Sequence, residues 1–449
     1  MRPLETTRRR RLAWILPLAL LPILAAGIFF GLRLAKPTPA WPRVIIVGLD
    51  GAGWNVLQPL LGKKALPHIR SLMDTGSYGT LETIAPTKSS VIWTSIATGK
   101  TMIKHGIVDW TYVDQHNLEV PYRQSERRAK AFWNILTDEG RLVGVINWFV
   151  TFPPERVNGF MVSDSFSGLR RDNFDKVKAT FPPSLQTVLK PLRFFDTSNI
   201  FEEQKVPDYR RWKVLGPIGD RLGLISFFPR FFFPDETTRR ATFYTLQKFR
   251  VETLATYFHL IDIVSHFAAA FIDPGLIAQA EKEEKAGGLA SATEAALDAA
   301  FSDVVEPIYA WADRILGELF RLAPSQTTFI ICSDHSFYYG QGTYEHHEEP
   351  RIPNGVIFLR GPHIREGYQL KKAHIYDILP TLLYILDLPV GEDMDGKVLT
   401  EAFDEGFVRK NPIKTIATYE GKTPAEKVTR DRTLDKRLLE ELRALGYIK

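Results

Sequence analysis

The chain has 449 residues, 45% of them hydrophobic and 24% charged, with a formal net charge of +5; this balance excludes a disordered chain and allows one large core. Its single cysteine, Cys332, excludes an intrachain disulfide and a thiolate zinc site, so a bound metal would have to be held by His, Asp and Glu. Basic and acidic residues are interspersed, without the basic stripe and interleaved aromatics of a nucleic-acid binder, so no nucleic acid is expected as a partner.

Residues 1–11 carry Arg2 and the run Arg8 to Arg11, and residues 12–32 contain no charged side chain. As a helix those 21 residues reach about 30 Å, the thickness of a bilayer's hydrocarbon core. The arginine block before them places the N-terminus in the cytoplasm by the positive-inside rule. The expectation is therefore a basic cytoplasmic segment (1–11), a single transmembrane anchor (12–32), a linker (33–42) and an exported remainder. That makes the chain a single-pass protein of the inner (cytoplasmic) membrane with its main domain on the periplasmic or extracellular side. A cleaved signal peptide, cut near Ala25, Ala26 and Gly27, is the alternative, although the apolar run is longer than a usual signal core.

Residues 43–50, Arg-Val-Ile-Ile-Val-Gly-Leu-Asp, read as a buried parallel strand. Similar apolar runs begin at Val143, Leu254, Thr328 and Gly355, with helical patterns such as residues 304–322 between them. The alternation predicts an α/β fold: a mostly parallel central sheet with helices on both faces. The main domain is expected over residues 43–408, with a less regular, Phe-rich stretch at about 164–253 read as an inserted cap and residues 409–449 as a charged helical tail. Residues 275–300 read as a solvated connection or helix, and no internal repeat is visible.

Active sites of open α/β sheets lie beyond the carboxyl ends of the strands, and Asp50, Asp262 and Asp334 each follow an apolar run. Four segments offer carboxylates and imidazoles for a divalent metal: Asp50-Gly51, Asp262 to His266, Asp334-His335, and Glu345-His346-His347-Glu348. Asp262 and His266, four residues apart, would share one helical face. Asp334 and His335, leaving a strand side by side, are expected to diverge and serve two neighbouring ions. Two such ions suit phosphoryl chemistry, one activating the attacking oxygen and one stabilising the leaving oxygen. A nucleophile is expected from residues 85–95, where hydroxyls precede a helical pattern. By position alone Thr87, Ser89 and Ser90 are equivalent. His105 reads as a structural residue orienting the loop behind that helix, Cys332 as an apolar filler of its strand, and Lys88 as either a phosphate contact or a solvent-facing cation.

Taken together, Pro86-Thr87-Lys88-Ser89, Thr98-Gly99 and His105-Gly106-Ile107 resemble the nucleophile segment of the type I phosphodiesterase/nucleotide pyrophosphatase family within the alkaline phosphatase superfamily, a resemblance running from about Arg43 to Phe403. It implies an alkaline phosphatase-like fold and Ser89 as nucleophile. It also implies two divalent ions, zinc with manganese as the alternative: Asp50, Ser89, Asp334 and His335 on one, Asp262, His266 and either His346 or His347 on the other. The segments Val145 to Glu155, Tyr376 to Thr381 and the ending from Leu442 are similar to a bacterial, membrane-anchored branch. Where nucleotide-cleaving relatives continue Phe-Pro-Asn-His, this chain has Ser90-Val91-Ile92-Trp93, so nucleotide specificity does not follow.

The reaction so implied is hydrolysis of phosphate esters, phosphodiesters first, through a covalent intermediate on Ser89 with retention at phosphorus. The substrate would be a small phosphate ester, a lipid headgroup or an envelope glycan, and nothing in the sequence sets the oligomeric state. Within the same fold the alternatives are a phosphomonoesterase, a phosphonate hydrolase or a phospho-headgroup transferase. A sulfatase would need a Cys or Ser in a Pro- and Arg-containing signature that this chain lacks. An inactive membrane-anchored binding protein is the alternative of another class, set against the complete set of Asp and His positions.

Overall fold

The computed structural model describes residues 41–168, 174–193, 224–340, 343–346, 353–421, 432–444 and 448. The anchor expected at 12–32 lies outside them, as do residues 169–173 and 194–223 of the expected cap and, at the metal-ligand segment, His347. No helix among the described residues is long and apolar enough to cross a membrane.

The strands of the main sheet are β1 (Val44–Leu49), β2 (Ser77–Glu82), β3 (Val143–Ile146), β4 (Gly159–Val162), β5 (Thr180–Phe181), β6 (Thr253–Phe258), β7 (Thr328–Cys332), β8 (Gly355–Arg360), β9 (Tyr368–Gln369) and β10 (Ala373–His374). Their order is β9-β2-β8-β7-β1-β6-β3-β4-β5, with β10 also paired to β2. Strands β7, β1, β6, β3 and β4 run parallel. β8, expected among the parallel strands, instead runs antiparallel to both β7 and β2. An apolar run reports burial on both faces and carries no information about direction.

The helices used below are α1 (Trp54–Gly62), α2 (Ser89–Thr98), α3 (Leu224–Lys248), α4 (Leu260–His266), α5 (Ser291–Leu322), α6 (Ile378–Ile385) and α7 (Arg432–Ala444). Side chains of β1 alternate between two cores, as the two-residue period of a strand requires. Ile45, Val47 and Leu49 face a core containing Leu57 and Leu60 of α1 and Ile315 and Leu319 of α5. Val44 and Ile46 face the other, with Trp93 and Ile96 of α2 and Leu379 and Leu382 of α6. Gly48 lets α2 come close: a Cβ there would stand 2.7 Å from the Trp93 ring.

The Phe-rich stretch is helical, lying within α3, and Phe232 packs into the same core as α1 and α5, with its ring 5.5 Å from that of Trp311. In the same region β5 extends the edge of the main sheet, antiparallel to β4. At the other end of the chain, α7 supplies Asp435, buried in an ion pair with the buried Arg123, so part of the charged tail is fastened to the domain.

Candidate active site

At the carboxyl end of β1 the chain turns through Gly51, whose φ of +76° is open to glycine at little cost. A Cβ there would lie 2.9 Å from Asp262 Cα. This tight turn brings Asp50 against the start of α4, and the Gly51 amide donates to Asp334 Oδ1 at 3.3 Å. Asp50, Asp262 and Asp334 are all fully buried, as is His335.

Around His335 Nε2 lie Asp50 Oδ1 at 3.3 Å, Asp334 Oδ2 at 3.4 Å and Asp262 Oδ1 at 3.6 Å. His266 Nε2 is 3.5 Å from Asp262 Oδ1, the helical pairing expected of residues four apart, and 3.1 Å from His346 Nε2. The rings of His346 and His335 stack with centroids 3.8 Å apart. Two groups of convergent ligand atoms result, Asp50 with Asp334 and His335, and Asp262 with His335 and His346.

The structure thus brings together Asp50, Asp262, His266, Asp334, His335 and His346. One expectation is met only in part: the ligand atoms of Asp334 and His335 lie 3.4 Å apart in one group, and His335 alone also reaches the second. The pleat of β7 ends at Cys332 and the chain bends at Asp334, so the alternation that would separate neighbouring side chains is lost. His335 consequently stands between the two groups and contributes to both.

Three buried carboxylates around one imidazole crowd negative charge where water cannot screen it. Burial, then the charge of Asp50, holds Asp334 well above the usual carboxylate range. Burial works against a charged His335, but Asp334 and Asp50 outweigh it and push that imidazole up to about 10. Asp50 Oδ1, Asp334 Oδ2, His335 Nε2 and Ser89 Oγ are buried atoms that make no hydrogen bond of ordinary geometry among the described residues. Leaving such atoms unsatisfied is costly, and the set fits divalent cations, which bind oxygen and nitrogen donors of this kind.

Ser89 begins α2, and two contacts tie its segment to the cluster. Thr87 Oγ1 donates to the carbonyl of His346, and Trp93 packs edge-on against Tyr257, whose hydroxyl donates to Asp50 Oδ2. The three candidate hydroxyls now differ. Thr87 is engaged with His346, and Ser90 Oγ donates to the Asp109 carbonyl at 3.0 Å, while Ser89 Oγ has no such bond among the described residues. Lys88 pairs with the Asp109 carboxylate. His105 is structural: its Nδ1 accepts from the Ile107 amide at 3.2 Å, leaving Nε2–H to donate to Ser95 Oγ at 3.0 Å. Cys332 is buried in β7, and burial pushes its thiol up.

Tyr257 was not singled out by the sequence, where it is one aromatic in a strand. Only its register beside Gly48 of β1 places its hydroxyl on Asp50. His259, which follows the same strand, was likewise passed over.

A family model described as type I phosphodiesterase / nucleotide pyrophosphatase matches residues 44–349. No curated protein matches the sequence. Among solved structures, human ectonucleotide pyrophosphatase/phosphodiesterase 5 is similar with a TM-score of 0.45 and 12% identity, over 81% of this chain and 100% of that one. A phosphonate monoester hydrolase from Silicibacter pomeroyi gives 0.45 and 14%, over 81% and 78%. A 2-O GAG sulfatase gives 0.51 and 11%, over 84% and 76%; at that identity the likeness is one of fold.

Proposed function

The chain belongs to the type I phosphodiesterase / nucleotide pyrophosphatase family, hydrolases of phosphate esters, and on that premise we propose that it cleaves phosphodiesters with Ser89 as the attacking residue. The observation that carries this reading is the buried Ser89 Oγ, without a hydrogen bond among the described residues, at the start of a helix whose preceding turn is bonded to the His346 segment.

In this reading Asp50, Ser89, Asp334 and His335 would hold one divalent cation and Asp262, His266 and His346 a second, zinc or alternatively manganese. When bound, such ions supply positive charge that makes a serine hydroxyl easier to ionise and offsets charge on a leaving oxygen. Ser89 Oγ gives up its proton to solvent and attacks phosphorus in line; the bond from phosphorus to one alcohol breaks, and that alcohol leaves after its oxygen takes a proton from solvent. The Ser89-linked diester so formed still carries the second substituent. Water attacks its phosphorus from the vacated side, the bond to Ser89 Oγ breaks and Oγ regains a proton, so the phosphomonoester is released with configuration at phosphorus retained overall. Tyr257 keeps Asp50 oriented by its hydrogen bond throughout.

The anchor at residues 12–32 remains part of the proposal, supported by their charge-free composition behind the arginine run. It would hold the domain on the periplasmic side of the inner membrane, within reach of small phosphate esters, lipid headgroups or envelope glycans.

The test uses full-length protein loaded with zinc or manganese and assayed on chromogenic phosphodiesters, monoesters and phosphonates. Ser89→Ala should lower diester cleavage by about 10³-fold or more, and Ser90→Ala should leave most of it. The opposite outcome moves the nucleophile to Ser90, and no turnover of any ester by the metal-loaded parent removes the hydrolase reading.

A further inference from the structure

His259 lies between the end of β6 and the start of α4, three residues before Asp262. Asp235, fully buried on α3, reaches this junction from another element. Its carboxylate accepts from the His259 amide at 3.3 Å and the Leu260 amide at 2.8 Å, capping the helix that carries Asp262 and His266. The same carboxylate lies 2.8 Å from His259 Nδ1.

Both of these bonds go to main-chain amides and neither involves the imidazole, so the ring's placement calls for a separate reason. Asp235 accepts from Nδ1–H at 2.8 Å and, as a carboxylate, favours the imidazolium form, in which the outward-facing Nε2 also carries a proton. No hydrogen bond among the described residues engages Nε2, and 19% of the side chain is exposed, enough for one ring edge to meet a ligand. The ring is parallel to that of Tyr257 within 7°, at 6.2 Å between centroids, and Tyr257 in turn holds Asp50. Burial disfavours a charged His259, yet its pKa is raised, by Asp235 first and then by Asp50 and Asp262; the ring therefore feels the same carboxylates as the ester-binding centre.

We propose that His259, oriented by Asp235, contacts substrate and donates its Nε2–H to an oxygen of the phosphate ester held at the Asp50 and Asp262 cluster, with Asp235 as its positioning residue. This rests on the phosphate-ester reading of the site and adds to it a donor from outside the set of metal ligands. A directed N–H at that edge complements the excess negative charge of a phosphoryl group.

The experiment uses full-length, metal-loaded protein with His259→Ala, His259→Gln and Asp235→Asn. Two readouts are taken: kcat and KM on an ester that the parent turns over, and calorimetric binding of inorganic phosphate. A hydrogen bond to a charged group predicts about a 10–100-fold fall in kcat/KM for His259→Ala and a comparable weakening of phosphate binding, with metal content and melting temperature as in the parent. His259→Gln, which keeps an N–H, should recover part of both. Asp235→Asn should lower kcat/KM in the parent but add little to His259→Ala, because a positioning residue acts through its partner. Kinetics and phosphate binding within twofold of the parent would overturn the proposal, as would losses in both His259 variants that only track lost metal. A parent that neither binds phosphate nor turns over any ester would instead defeat the underlying phosphate-ester reading.

Discussion

His105 offers a stability test that is independent of catalysis. The imidazole is fully buried between the Ser95 hydroxyl and the Ile107 amide, and its backbone carbonyl accepts from the Arg128 amide at 2.8 Å. Burial first, then the charge of Arg127, lowers its pKa from 6.5 to about 3. Because the folded value is below the unfolded one, the unfolded chain takes up this proton first as the medium is acidified. Stability is therefore complete above about pH 6.5 and is lost as pH falls towards about 3. At about pH 5 the unfolded state is favoured by roughly 1.5 pH units of binding, or about 2 kcal/mol, relative to about pH 7.5. His105→Gln keeps an N–H for Ser95 and cannot titrate. Urea unfolding followed by tryptophan fluorescence, with chelator present so that the metal ligands are equally empty in both proteins, gives the stabilities at the two pH values. The parent should lose about 2 kcal/mol more than the variant on acidification. Equal losses would refute the assignment of His105 as a neutral, buried strut.

Tyr257→Phe removes the hydroxyl that donates to Asp50 without emptying the space of the ring, and should weaken zinc binding by about 10–100-fold in a competition titration. His346→Ala should reduce bound metal per chain by elemental analysis, whereas His347→Ala should retain it. The reverse result would transfer the ligand to the neighbouring histidine.

The α/β class was legible in the sequence because apolar runs of strand length alternate with longer helical patterns, and burial on two faces leaves that mark whatever the final packing. The positions of Asp50 and Asp334 just beyond strands were legible for a related reason, since each follows an apolar run, whereas Asp262 lies within α4, four residues past the end of β6. The pairing of Asp262 with His266 followed from helical spacing alone. Direction was not legible, since the residues of β8 would look the same in a parallel strand.

The sequence by itself determined which side chains were available for the chemistry, through residue type, spacing and position after apolar runs. Tertiary structure alone decided which atoms meet. It showed Thr87 and Ser90 hydrogen-bonded and Ser89 Oγ without such a bond among the described residues, separating three hydroxyls that are equivalent along the chain. It also brought Asp334 and His335 into one group through a bend, left His335 alone to reach the second, and set the Tyr257 hydroxyl on Asp50. Asp235 and His259 are 24 residues apart, and no local period links them. Short-range pattern records what a residue can do, whereas hydrogen bonding and charge act over a few ångströms between segments that only the completed fold brings within reach.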